Sequence, residues 1–206
     1  MAESHNSKTK NVLTIFLCFW VAFFEGYDLQ APGIAATGIA TSFGLDQVQM
    51  GYVFSLAVFG MLFGAFFGGR IADKFSKNII ILFCLIEFGI GCFGLLSHHL
   101  ILNLQDMLIH ANLLMTALGS FILLLFPTFL MGTTLPLLTS FFNQHIQNIG
   151  DSIGQLYFYN TLGAAFGALA TGFILFNQFT LSHTIYIAAM LNLGISFLVF
   201  ITYGRK

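Results

Sequence analysis

Between Asn78 and Gly204 the chain contains no lysine or arginine. Charge is scarce throughout: 7% of 206 residues, against about 25% in an ordinary soluble domain. So little charge cannot cover a water-facing surface, so most of the molecule must face lipid. The net charge is -1, and the absence of a basic stripe excludes a nucleic-acid footprint. Cys18, Cys84 and Cys92 are the three cysteines, all in apolar segments. They form neither a CxxC pair nor a ligand cluster and read as small buried hydrophobes, with no metal expected. No phosphate loop follows a strand, and GxSxG and HExxH are missing. The sequence therefore offers no soluble catalytic domain and no cofactor site, and the chain is not expected to be an enzyme. No small-x-small cleavage site follows the apolar run Val12–Phe24, because Glu25 and Asp28 come at once. That run reads as a retained first span, not a leader.

Apolar residues make up 57% of the chain, with 26 phenylalanines suited to lipid-facing and helix-packing surfaces. A spanning helix needs about 20 mostly apolar residues. Six segments qualify, at residues 11–36, 49–69, 79–97, 109–139, 153–176 and 183–203. The first is interrupted by its acids and Pro32, and the fourth contains Pro127 and Pro136. With six spans, Lys8, Lys10, Arg70, Lys74, Lys77, Arg205 and Lys206 all fall on one side. The positive-inside rule makes that side cytoplasmic. The expectation is a multi-pass inner-membrane protein with a cytoplasmic N-terminus (residues 1–10) and a cytoplasmic C-terminus. The fourth segment exceeds what a straight span needs, so a tilt, a kink at Pro127 or an interfacial run through Pro136 is expected. Residues 140–152 read as a loop. Phe141, Phe142, Ile146 and Ile149 within and beside it have the spacing of a short amphipathic surface helix.

Small residues recur at close-packing intervals. Gly60, Gly64 and Gly68 fall every fourth residue in the second span, and Gly163 and Gly167 do so in the fifth. This spacing lets helix backbones approach closely.

Three acids lie inside apolar segments: Glu25, Asp28 and Glu87. An acid at the bilayer centre costs roughly 2.5–3.5 kcal/mol on insertion scales. Each therefore needs a bundle interior, a polar cavity or a proton. Glu25 and Asp28 are three apart and share a helix face. Two such carboxylates repel, so one is expected to hold a proton near neutral pH, as a proton-coupling site requires. The alternative is that both lie near the outer interface and are solvated. Glu87 has no basic partner in spans three to six. It reads either as a second coupling acid or as a neutral hydrogen bonder to Asn112, Thr116 or Asn160.

Two further groups stand out. Gly69, Arg70, Asp73, Lys74 and Lys77 form a tight charged loop, in which Asp73 can cap or pair with Arg70 or Lys74. Ordinary cytoplasmic anchoring alone explains those basic residues. His98, His99, Asp106 and His110 fall in an outer loop. A metal site there is disfavoured, because adjacent histidines point in different directions on regular structure.

Residues 10–78 resemble the first two spans of major facilitator superfamily transporters, particularly the aromatic acid:proton symporters. The stretches that carry the resemblance are Phe24-Glu25-Gly26-Tyr27-Asp28-Leu29-Gln30, Met50-Gly51-Tyr52-Val53-Phe54-Ser55, and the loop from Gly69 to Lys77. Glu25 stands at the first acid of a motif that usually reads Asp-Gly-x-Asp, and Asp28 matches the second. In the loop, Gly69, Asp73, Lys74 and Lys77 match, while Ser76 replaces a usual glycine and Asn78 a usual base. Residues from about 80 resemble the membrane region of fused transporter-like/spermidine synthase proteins. That likeness rests on Glu87–Gly91, Pro127–Leu138 and Gly154–Gly167.

Together the resemblances imply an all-α polytopic membrane protein. It would be one six-helix bundle of major-facilitator type, half of a full transporter, with a symporter-like front (11–78) joined to a synthase-type membrane region (79–206). They imply transport of an aromatic or other organic acid coupled to protons. Glu25 and Asp28 would act as coupling acids, assisted by Glu87, and a homodimer or a second membrane subunit would complete the carrier. The competing expectation is a non-transporting membrane module, either an anchor or regulator of a separate enzyme or a truncated inactive product. A soluble synthase domain is not expected, because the chain stops at Lys206.

Overall fold

A computed structural model describes residues 20–28, 33, 36–44, 46–108, 113–146 and 148–204. Every described element is helical. Helix α1 covers residues 20–28, and a short α2 covers Ala36–Phe43. The long helices are α3 (Gln47–Lys74), α4 (Ile79–Leu108), α5 (Leu113–Ile146) and α6 (Ile149–Ala170). A π-helical turn at Thr171–Leu175 leads from α6 into α7 (Phe176–Gln178), and α8 covers Leu181–Tyr203. Among the described residues, five helical segments are long and apolar enough to cross a membrane: Gln47–Lys74, Ser76–Ser97, Phe121–Gln144, Ile149–Gln178 and Leu181–Tyr203. Most of the first expected span, including Cys18 and Pro32, lies outside the described residues.

Local sequence sets the helix ends. Gly44 adopts φ 63, a left-handed turn that glycine takes at little cost, between α2 and α3. Asp46 then caps α3. Its carboxyl accepts from Gln49 N–H at 2.7 Å, and the Gln49 side chain accepts from Asp46 N–H at 2.9 Å. Asp46→Ala is expected to cost about 1 kcal/mol. Faster amide exchange at residues 47–50, with the rest of α3 unchanged, would register it. A 3₁₀ turn at Ser76–Asn78 reverses the chain into α4. Asn148 caps α6 and Thr180 caps α8.

Two readings of the chain change here. Residues 140–152 are not a loop with a separate surface helix, since α5 runs unbroken to Ile146 and α6 begins at Ile149. Phe142, placed at the interface by its spacing, is fully buried in the core with Leu156, Leu138 and Phe83. The long fourth segment also stays helical through Pro127 and Pro136. Threonine hydroxyls bond backbone carbonyls around those prolines: Thr128 to Leu124 O, Thr133 to Leu130 O and Thr134 to Met131 O, all at 2.6–2.7 Å.

The core has two parts. One gathers Val21 and Ala22 of α1 with residues of α4, α5, α6 and α8, and the other gathers Ala72, Ile79, Ile86, Ile90 and Leu137. Bulky apolar side chains cover the outside, among them Phe63, Phe66 and Phe67 of α3.

Gly60, Gly64 and Gly68 are buried where α3 meets α5. A Cβ at Gly64 would overlap the Phe129 carbonyl, and one at Gly68 would lie 2.9 Å from Thr133 Cα. Gly132 presses on the backbone of Met61 from the other side. Gly163 and Gly167 lie against Phe23 and Tyr27 of α1, and Gly26 lies against Asn160 and Ala164 of α6. Rising numbers on α1 meet rising numbers on α6, so these two helices run parallel.

Candidate functional site

The three intramembrane acids of the sequence are brought into one cluster. α1 supplies Glu25 and Asp28, α4 supplies Glu87, α5 supplies Thr134 and α8 supplies Asn192. The carboxyls of Glu25 and Glu87 are hydrogen-bonded to each other. Two ionised carboxyls cannot share a hydrogen bond, because each only accepts, so a bond between them requires a proton on one. Glu87 is 1% exposed, and its Oε1 has no partner.

The Thr134 hydroxyl donates to Glu25 Oε2 at 2.8 Å and also lies 2.6 Å from the Met131 carbonyl. One hydroxyl carries one proton. Both contacts are hydrogen bonds at once only when Glu25 brings a proton of its own. Asp28 accepts from Asn192 Nδ2 at 2.7 Å. It lies near enough to Glu25 and Glu87 for their charges to interact. Among the described residues the cluster therefore has three carboxyls and no base, held by neutral donors.

Glu25 and Asp28 leave α1 on one face but meet different neighbours. Glu25 turns to α5 and Asp28 to α8. Asn160, one of the partners weighed for Glu87, instead donates to the Ala22 carbonyl at 3.3 Å. Asn112 and the side chain of Thr116 lie outside the description. Thr134 and Asn192 were not singled out in the sequence. The signal was there: each is a polar residue inside an otherwise apolar run, where an unpartnered amide or hydroxyl would be costly.

A groove of about 810 Å³ opens between α3, α5 and α6, with Glu25 in its lining. Thr134, Thr139, Ser140, Asn143 and Asn160 supply neutral polar groups, and Asp73 is the other acid. Asn143 Oδ1 is a buried acceptor with no partner. Val58, Met61, Leu62 and Leu135 give the groove apolar walls. An apolar cleft with a few convergent polar groups is the usual form of a small-molecule site.

The charged segment from Gly69 to Lys77 ends α3 and forms the turn into α4. Arg70 lies over the Phe66 ring, 4.2 Å from its centroid, and Lys74 lies 5.6 Å from that of Phe75. Among the described residues no ion pair joins Asp73 to Arg70 or Lys74, and Asp73 caps no helix. His99 is exposed on α4. The side chains of His98 and Asp106, and His110 altogether, lie outside the described residues. Among the described residues no group of three potential metal ligands occurs.

Similarity to known proteins narrows the reading. The chain is 48% identical over 85 residues to the 3-(3-hydroxy-phenyl)propionate transporter of Escherichia coli, covering 41% of this chain and 21% of that protein. It is 33% identical over 76 residues to the 4-hydroxybenzoate transporter PcaK of Pseudomonas aeruginosa (37% and 17%). It is 37% identical over 81 residues to the benzoate transport protein of Acinetobacter baylyi (37% and 17%). These matches span about a fifth of the length of the relatives. No solved structure matches the chain. The sequence profile of the Major Facilitator Superfamily matches residues 17–206, across the point between residues 78 and 80 where the two resemblances meet. A helical bundle with five apolar spanning segments among its described residues fits that profile. The chain belongs to the Major Facilitator Superfamily, a family of membrane transporters and not of enzymes.

Proposed function

We propose that this chain is a proton-coupled carrier of a small aromatic or other organic acid. Glu25, Asp28 and Glu87 serve as its proton site, and the groove over Glu25 as its substrate path. One observation carries the reading: two buried acids, Glu25 and Glu87, lie within hydrogen-bonding reach of each other, with no base beside them among the described residues. Such a pair binds and releases a proton without an ion pair to break. The relatives support the substrate class, since their names give hydroxyphenylpropionate, hydroxybenzoate and benzoate.

The groove offers two carboxyls and no lysine or arginine. A carboxylate substrate would therefore need its positive partner from elsewhere in the assembly. This favours a homodimer or a second membrane subunit, with two bundles enclosing one midplane site. The basic residues mark the cytoplasmic side of an inner membrane, with both termini there. The synthase-like character of residues from about 80 onward rests on its sequence motifs alone, and no activity is carried over from it.

The test is uptake of a labelled aromatic acid into proteoliposomes under an inward proton gradient. Asp28→Asn, which keeps the contact to Asn192 but cannot titrate, is expected to abolish gradient-driven uptake at unchanged membrane abundance. Unchanged uptake would remove Asp28 from the mechanism.

A further inference from the structure

We propose that the outer faces of α3 and α5 hold one anionic phospholipid. Its acyl chain lies in a phenylalanine-lined groove, and its phosphate lies on Arg70 and Lys74. The site is separate from the acid cluster and owes nothing to proton coupling.

A groove of about 530 Å³ lies between α3 and α5. Phe63 and Phe67 of α3 line it with Phe121, Ile122, Phe126 and Phe129 of α5. No polar side chain enters this lining, unlike that of the groove over Glu25. Phe63, Phe67, Ile122 and Phe126 are exposed, on two segments apolar enough to span a membrane. On α5 the lining runs from Phe121 to Phe129, about 12 Å of helix. The hydrocarbon of one leaflet is about 15 Å deep, half of the full core. The groove thus has the length of one acyl chain, not of a second spanning helix.

The two helices run in the same direction, since Gly60 meets Thr128 and Gly68 meets Thr133. The groove therefore ends at Phe67 and Phe129, whose ring centroids are 6.4 Å apart. Arg70 and Lys74 come next. Residues 63, 67, 70 and 74 recur at helical intervals and share one stripe of α3. Ring contacts join the groove to the first base. Phe67 meets Phe66 edge-on at 5.2 Å, and Arg70 lies over the Phe66 ring at 4.2 Å.

A guanidinium stacked by its face keeps its N–H edge free, and that edge forks onto a phosphate. Lys74 adds a point charge about one turn further on. Among the described residues neither base makes an ion pair or a side-chain hydrogen bond. Asp73, the nearby acid, lines the groove over Glu25 instead. A zwitterionic head would bring its own cation beside these two. A head whose only charge is its phosphate would not. Ordinary cytoplasmic anchoring accounts for basic residues anywhere on that side. It does not account for a base stacked on a row of rings that opens into a leaflet-deep groove.

The experiment is native mass spectrometry of the purified full chain in detergent. It is titrated with phosphatidylglycerol and, separately, with phosphatidylcholine of the same chains. The wild type is expected to hold one phosphatidylglycerol, about fivefold or more tighter than phosphatidylcholine. Arg70→Gln is expected to weaken phosphatidylglycerol about fivefold, the worth of one basic residue at an anionic surface. Lys77→Gln removes the same charge from the turn beyond the stripe and is expected to leave binding unchanged. Ile122→Trp fills the groove, leaves both bases in place and is expected to weaken binding several-fold through lost chain contacts. Equal losses in Arg70→Gln and Lys77→Gln would reduce the site to general surface charge and overturn it. Equal affinity for the two lipids, or unchanged binding in Ile122→Trp, would overturn it as well. A lipid-free dimer that Ile122→Trp splits into monomers would seat a second copy of the chain in the groove instead. Uptake enters none of these readings, so the lipid site stands or falls apart from coupled transport.

Discussion

Glu25→Gln is expected to reduce proton-driven uptake to below about 1% of the wild-type rate, the loss associated with removing a positioned proton-transfer group. The amide keeps the size of the side chain and the contact to Thr134, so abundance and folding should be retained. What disappears is the titratable carboxyl beside Glu87 at the edge of the groove. Glu87→Gln separates two roles. If Glu87 only donates a hydrogen bond, the amide replaces it and uptake survives. If Glu87 takes part in holding the proton, uptake falls with Glu25→Gln, and the double variant is no worse than either single one. Gradient-driven uptake by Glu25→Gln at the wild-type rate would leave the acid pair a structural feature only. Exchange of labelled substrate without a gradient, run in parallel, shows whether the groove still binds.

Gly64→Leu is expected to cost about 3 kcal/mol, the upper part of the usual range for overpacking. A fall in detergent melting temperature on the order of 10 °C would follow. The size comes from what the new atoms would meet: at Gly64 the Phe129 carbonyl and Gly132 Cα are backbone, and backbone cannot swing aside. Gly154→Leu is the matched control. Nothing lies within 4 Å of a Cβ there, so the same substitution should leave the melting temperature within a degree or two. Equal melting of both variants would show that α3 does not pack on α5 through its glycines.

Much of the architecture was legible in the chain because lipid simplifies the problem. Helix type and span position follow from runs of apolar residues that nothing else could satisfy. The ends were harder. Pro127 and Pro136 read as a kink or an exit from the membrane, and α5 stays helical through both. Phe142 has interfacial spacing, but its burial depends on α1 and α6 closing over it, and periodicity within one segment holds no information about that. The acids show the same division. Glu25, Asp28 and Glu87 could each be named from their setting. That Glu25 and Glu87 meet across 61 intervening positions could not, because it depends on how α1 lies on α4. Asn192 and Thr134 were visible only as oddities until an acid was found beside each.

The parallel contact of α1 and α6 has a mechanical consequence. Gly26, Gly163 and Gly167 leave no side chain between the two backbones to act as a bearing. A helix in such contact cannot shift alone without driving main chain into main chain. A displacement of α1 would therefore carry with it the helical segment from Ile149 to Gln178, 30 residues long.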